Sequence, residues 1–207
     1  MNVYQKERGG KMNLVWYVSY GSNLMEDRFH CYIRGGVPTG SSEAERGCRD
    51  ATLPRDNRGC VLPYPLYFAK DESKWGKGGV AFIGHKEDAR EQTIARQYLI
   101  TFEQFVDVVE QENQADASGL QFEDLMENGY VTLDDGWYGR VVYLGMEDGY
   151  PKLTFTNPLD MGTDSFTAPA EPYAQTIAKG IAELSYTDKD IHQYLSSRNG
   201  FSPQAEK

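Results

Sequence analysis

The sequence predicts an α+β fold, a small mixed β-barrel or strongly curved sheet with peripheral helices. Three observations predict it. Strand-like apolar segments crowd the middle of the chain. Helical patterns are few and do not alternate with the strands, which excludes a doubly wound α/β sheet. The 207 residues contain no internal repeat and no low-complexity linker, which fits one domain carrying a large insertion.

The first element is the apolar run Leu14–Tyr20, a buried strand that stops at Gly21. Ser22 and Asn23 are good N-caps, and Asn23–Ile33 reads as a helix with Met25, Phe29 and Ile33 on one face. Gly35-Gly36 ends it. A strand–turn–helix junction of this kind leaves backbone N–H groups without partners, able to hold a carboxylate or an oxyanion. Gly21 can adopt a positive φ and lets a ligand come close to the backbone. Spacing alone equally supports an ordinary capped junction.

Residues 37–59, rich in Gly, Ser, Arg and Asp, read as a long and mobile loop. Cys60–Ala69 is an apolar strand in which Pro63 and Pro65 mark an edge or a bulge. Gly79–Ile83 and Gln97–Ile100 are short strands. The stretch Lys74-Trp75-Gly76-Lys77-Gly78-Gly79 lacks Walker spacing and reads as a hairpin turn. Thr101 opens a helix through a capping box with Gln104. Gln114–Asp135 is an acidic insertion with a short helix around Phe122–Met126. Trp137–Leu144 and Lys152–Thr156 are strands joined by a tight turn at Asp148-Gly149. Pro172–Leu184 is a helix with Tyr173, Ile177, Ile181 and Leu184 on one face, and Thr187–Leu195 is a last helix capped by Thr187 and Asp190. The expected organisation is an upstream or tag-like segment over 1–11 with Met12 as the natural start, one domain over 12–196, and a polar tail over 197–207.

Composition narrows the function. The net charge of −10, with no long Lys/Arg run, argues against a broad basic surface for nucleic acid or anionic membrane. No apolar stretch approaches the roughly 20 residues of a membrane span. Cys31, Cys48 and Cys60 are odd in number and form no CxxC pair, and His30, His85 and His192 lack ligand spacing. No metal site is expected, and a reducing, cytoplasmic setting fits. Cys31 follows His30, but adjacent helical residues point apart, so Cys31 reads as a small core residue rather than a nucleophile.

One carboxylate stands out. Phe105, Val108, Val109 and Glu112 fall at i, i+3, i+4 and i+7, so Glu112 lies within about 20° of Phe105 around the helix axis. Glu103, Asp107 and Glu110 lie off that stripe and read as solvated charges. Burial and the helix C-terminus both raise the pKa of a carboxylate at Glu112, towards a value useful to a general base. Periodicity alone also allows a frayed helix end with Glu112 in water.

Tyr20-Gly21-Ser22-Asn23-Leu24 resembles the signature loop of the γ-glutamylcyclotransferase family. The segment Leu99-Ile100-Thr101 to Val109-Glu110-Gln111-Glu112 resembles that family's strand–helix–glutamate segment, with Glu112 matching the catalytic glutamate. Ala168-Pro169-Ala170-Glu171-Pro172-Tyr173 resembles its C-terminal helix start, which makes Tyr173 a pocket tyrosine. The chain departs from the pattern in the polar extension Gly84–Ala95, in the insertion after Glu112, and in Asn113 where a glycine often follows the glutamate. The aromatics of Tyr64–Phe68 offer a pocket lining of their own.

The resemblance implies a cofactor-independent enzyme acting on a small γ-glutamyl amine or γ-glutamyl amino acid. The substrate's own α-amine attacks its γ-carbonyl and releases 5-oxoproline, with Glu112 as general acid and base. Tyr20, Gly21, Ser22, Asn23, Leu24 and Tyr173 would form the substrate site, with the Tyr20 and Tyr173 hydroxyls as orienting groups. The alternative is a scaffold that binds a small metabolite or a partner protein without catalysis.

Overall fold

The computed structural model describes residues 14–39 and 43–201. The expected start at Met12, the 1–11 segment and the end of the tail beyond residue 201 lie outside the described residues.

The elements in chain order are β1 (Leu14–Ser19), α1 (Glu26–Arg34), β2 (Asn57–Leu62), β3 (Leu66–Ala69), β4 (Glu72–Ser73), β5 (Gly76–Lys77), β6 (Val80–Ile83), β7 (Thr93–Thr101), α2 (Phe102–Asn113), α3 (Phe122–Asn128), β8 (Tyr130–Thr132), β9 (Arg140–Glu147), β10 (Tyr150–Thr156), α4 (Glu171–Ala182) and α5 (Asp188–Ser196). A single 3₁₀ turn, Ser22–Leu24, joins β1 to α1. The α+β class therefore holds.

Six strands form one mixed sheet in the order β2-β7-β1-β10-β9-β8. β1 runs parallel to β10, with Tyr17 opposite Leu153, and every other neighbour in the sheet is antiparallel. Among the described residues no pairing closes this sheet into the expected barrel. β3 and β6 form a separate antiparallel pair, and β4 and β5 a small hairpin.

Alternation along β1 sends its side chains to two clusters. Val15 and Tyr17 join Phe29 and Ile33 of α1 and Phe105, Val108 and Val109 of α2. Val18 joins β3, β6, Ile177 and Ile181 of α4, and Ile191 and Leu195 of α5. Tyr138 packs against both clusters.

Several sequence expectations are corrected. The helix begins at Glu26, because Met25 is extended (φ −74°, ψ 117°), and neither Ser22 nor Asn23 caps it through a side chain. Gly21 has φ −113°, so positive φ is not the reason for a glycine there. A Cβ on it would sit 3.0 Å from the Tyr173 hydroxyl, so it is close packing that selects glycine. Cys60–Ala69 is two strands in two sheets, split at Pro63–Pro65, where the missing N–H groups break the ladder. β7 is nine residues long rather than four, and fully buried between β1 and β2. β9 starts at Arg140, three residues after Trp137. Cys31 is half-buried and hydrogen-bonds the Asp27 carbonyl, so it is not a core residue.

The loop after α1 is tied down between Glu45 and Arg49. Asp107 of α2 is 1% exposed and accepts bonds from Arg49 Nε (2.8 Å) and Arg49 N (2.9 Å). Arg46 pairs with Glu110, and Gly47 N donates to Gln111. The loop thus covers the face of α2 that the sequence reading left to solvent, and Asp107 is a buried, paired charge.

Other expectations hold closely. Thr101 and Gln104 form a reciprocal capping box, as do Thr187 and Asp190. Asp148 and Gly149 both have positive φ (53° and 81°), as a two-residue hairpin turn with the right twist requires.

Candidate active site

β1 ends at the sheet's centre, and the turn that follows it opens on a cavity of about 190 Å³. Tyr20, Gly21, Ser22 and Asn23 line it from below. Glu112 enters from the last turn of α2, Tyr173 from the first turn of α4, and Tyr138 from the segment before β9. The β4–β5 hairpin supplies Ser73, Lys74 and Trp75.

The turn is held in place from behind by α4. A Cβ on Gly180 would lie 2.4 Å from both the Leu24 carbonyl carbon and Met25 N. Only a residue without a side chain lets α4 approach this closely. Leu24 is fully buried in that contact and does not line the cavity, so its expected substrate role gives way to a packing role.

Asn23 links the turn to the glutamate. Its Nδ2 donates to Glu112 Oε1 at 3.0 Å and to the Tyr17 hydroxyl at 3.3 Å. Its own carbonyl accepts from the Tyr98 hydroxyl at 2.8 Å. Among the described residues, the backbone N–H groups of Gly21, Ser22 and Asn23 have no hydrogen-bond acceptor. Unpaired donors beside a cavity favour an anionic ligand group.

Burial raises the Glu112 pKa above the ordinary carboxylate range. The charges of Lys74 and Arg28 pull it back, Glu45 pushes it up, and a hydrogen bond from Tyr32 pulls it down. The surrounding hydroxyls stay protonated: burial pushes Tyr173 to about 12 and Tyr20 and Tyr138 well above the usual phenol value.

Two tyrosines clamp one residue of β6. Ala81 N donates to the Tyr173 hydroxyl at 3.1 Å, and the Tyr138 hydroxyl donates to the Ala81 carbonyl at 3.1 Å. The Tyr173 and Tyr138 hydroxyls also hydrogen-bond each other. Tyr20 differs from the expectation, because its hydroxyl is spent on the Phe155 carbonyl at 2.6 Å. Its ring forms wall, and its hydroxyl is not an orienting group.

Sequence reasoning did not pick Tyr32, Lys74, Trp75 or Tyr138. The hairpin did carry a signal, since a tryptophan at the tip of a turn needs something to pack on. Here Trp75 lies between the Arg28 guanidinium (4.6 Å) and the Tyr173 ring (5.3 Å). Tyr64–Phe68 contributes nothing to the cavity, because Leu66–Phe68 is packed in the core and Tyr64 bonds Glu87.

No protein-family model matches the chain. It is 37% identical over 192 residues to Histone deacetylase 5 of Arabidopsis thaliana, across 85% of its own length. It spans only 29% of that relative. Among solved structures it is similar to one described as Gamma-glutamyl cyclotransferase, with a TM-score of 0.50 and 14% identity over 94% of this chain and 93% of that one. A yeast protein described as a glutathione-specific γ-glutamyl cyclotransferase has a TM-score of 0.42 at 11% identity, covering 94% of this chain and all of that one. The first of these likenesses shows that the fold is γ-glutamylcyclotransferase-like.

Proposed function

We propose that the chain is a γ-glutamylcyclotransferase-like enzyme that converts a small γ-glutamyl compound to 5-oxoproline and a free amine. The observation that carries this reading is the Asn23–Glu112 hydrogen bond. It sets a desolvated carboxylate opposite the unpaired N–H groups of Gly21–Asn23 across one cavity.

The chemistry asks little of the protein beyond orientation, a base and charge stabilisation. The substrate α-nitrogen attacks the γ-carbonyl carbon, and the bond from that carbon to the leaving nitrogen breaks. Glu112 takes the proton that the attacking nitrogen loses and returns it to the departing amine, so the carboxylate is regenerated. The N–H groups of residues 21–23 receive the substrate carboxylate or the developing oxyanion. The Tyr173 hydroxyl donates to the bound substrate. Holding the reacting ends together supplies as much as ~7–11 kcal/mol in the best intramolecular cases, and proton transfer a further ~10²–10⁴-fold.

The test is incubation with γ-glutamyl dipeptides, glutathione and γ-glutamyl amines, followed by detection of 5-oxoproline. The native protein is expected to release it, and Glu112→Gln to lose the activity while keeping its circular dichroism spectrum. Product formation at an unchanged rate in the variant would remove Glu112 from the reaction.

A further inference from the structure

Asn113 closes α2 one residue after Glu112. The helix stays regular through it, and the left-handed turn falls on Gln114 (φ 52°) instead. A side chain at 113 therefore meets no backbone strain.

That side chain grips the main chain of Tyr138 twice. Tyr138 N donates to Asn113 Oδ1 at 3.0 Å, and Asn113 Nδ2 donates to the Tyr138 carbonyl at 3.1 Å. One carboxamide thus pairs with a residue as a neighbouring strand would, by exchanging both bonds. Nδ2 gives its second proton to the Val109 carbonyl at 3.1 Å, which ties the carboxamide to its own helix.

The loop that it grips is closed on itself. Leu133 N donates to the Gly139 carbonyl at 2.8 Å, and Gly136 N to Asp134 Oδ1 at 2.8 Å. Among the described residues, the hydrogen bonds between α2 and residues 133–139 are those of Asn113 alone. This loop brings Trp137 and Tyr138 to the cavity wall. The Tyr138 ring rests on Phe82 (5.0 Å) and Phe155 (5.6 Å), and its hydroxyl meets the Ala81 carbonyl and the Tyr173 hydroxyl. A line of contacts therefore runs from the residue beside Glu112, through Tyr138, to Tyr173 on the far wall.

We propose that Asn113 is a positioning residue for the reaction: it places the Tyr138 hydroxyl against Ala81 and Tyr173, and so keeps the Tyr173 hydroxyl aimed at the substrate. This rests on the reading of the cavity as a γ-glutamyl site. Glu112 is held separately, by Asn23.

The experiment is a double-mutant cycle on 5-oxoproline release from γ-glutamyl-alanine. It uses the native protein, Asn113→Ala, Tyr138→Phe and the pair, at a temperature where melting curves show all four folded. If the alanine variant does not fold, Asn113→Asp, which keeps the acceptor for Tyr138 N, takes its place. The change at Asn113 is expected to lower kcat by about tenfold or more. In the Tyr138→Phe background the same change is expected to cost less than about twofold, because the hydroxyl that it places is gone. With Asn113→Ala, the acidic limb of the pH profile of kcat/KM is expected to stay in place.

A native rate in either single variant would overturn the assignment, and so would equal losses at Asn113 in both backgrounds. A moved acidic limb would overturn it too, because Asn113 would then act on Glu112. If the native protein releases no 5-oxoproline, the proposed reaction falls, and the cycle is read as affinity for γ-glutamyl-alanine by calorimetric titration. The same coupling there keeps Asn113 as the residue that positions Tyr138 for ligand. Additive losses, no losses, or no binding by the native protein would overturn it.

Discussion

Asn23 and Glu112 lie 89 residues apart, with α1 and β2–β7 between them, yet one hydrogen bond of 3.0 Å decides the character of the cavity. That bond favours the charged carboxylate, so its loss has a defined sign. Asn23→Ala is expected to raise the Glu112 pKa further, moving the acidic limb of the rate profile to higher pH and lowering the neutral rate by about tenfold. Measuring kcat/KM across pH checks this, and an unmoved limb would mean that Asn23 serves packing alone. Glu112 also carries a stability consequence. Its pKa is raised in the fold by burial, so the folded chain holds that proton more tightly than the unfolded one. The contribution is complete below the unfolded pKa and is lost as pH rises through the raised value. Glu112→Gln should therefore melt higher than the native protein at neutral pH, and the gain should shrink as pH falls through the raised value and be gone by about pH 4. Glu112 was legible from its helical spacing, because Phe105, Val108 and Val109 fix which way α2 faces. Asp107 was not, because what buries it is a loop that periodicity along α2 does not contain. Tyr20 shows the same limit, since nothing local tells that its hydroxyl meets the Phe155 carbonyl 135 residues away.

At the level of elements, the site depends on how α2 and α4 are seated. The capping box at Thr101 fixes where α2 starts and so the rotation that presents Glu112 three turns later. Thr101→Val is expected to cost about 1 kcal/mol, read as a lower denaturation midpoint. Gly180 has the larger effect on function. Gly180→Ala places a carbon against Leu24 and Met25, and either α4 or the Ser22–Leu24 turn must shift. The expected result is a destabilisation of about 1–3 kcal/mol with a fall in activity greater than the stability change explains. A variant that melts lower but turns over normally at a temperature where it is folded would show that α4 alone gives way. Most elements were readable from the chain: the capping boxes, the glycine stop at Gly35 and the Asp148-Gly149 turn all act through neighbours in sequence. The failures share a cause. β7 extends beyond its apolar stretch because β1 and β2 flank it on both sides, and polar Arg96 and Gln97 are buried through partners on other elements.

Across the whole molecule, β7 and the β4–β5 hairpin mark two extremes. β7 is buried along its full length and paired on both edges, whereas the hairpin has two residues per strand and no third neighbour. Hydrogen exchange should therefore be slowest in β7, at the rate of global unfolding, and fast in residues 72–77. Comparable protection in both would mean that the Lys74 and Trp75 contacts hold the hairpin as firmly as the core. The parallel pairing of β1 with β10 has a further effect on how the protein comes into being. The turn after β1 leaves the ribosome well before Tyr173 and the Gly180 contact that press it into shape. Proteins emerge from the N-terminal side first. A chain stalled before α4 thus carries its glutamate and its turn but has neither a closed wall nor a seated loop. The cavity is thus completed in one step, when α4 closes on a turn made long before it.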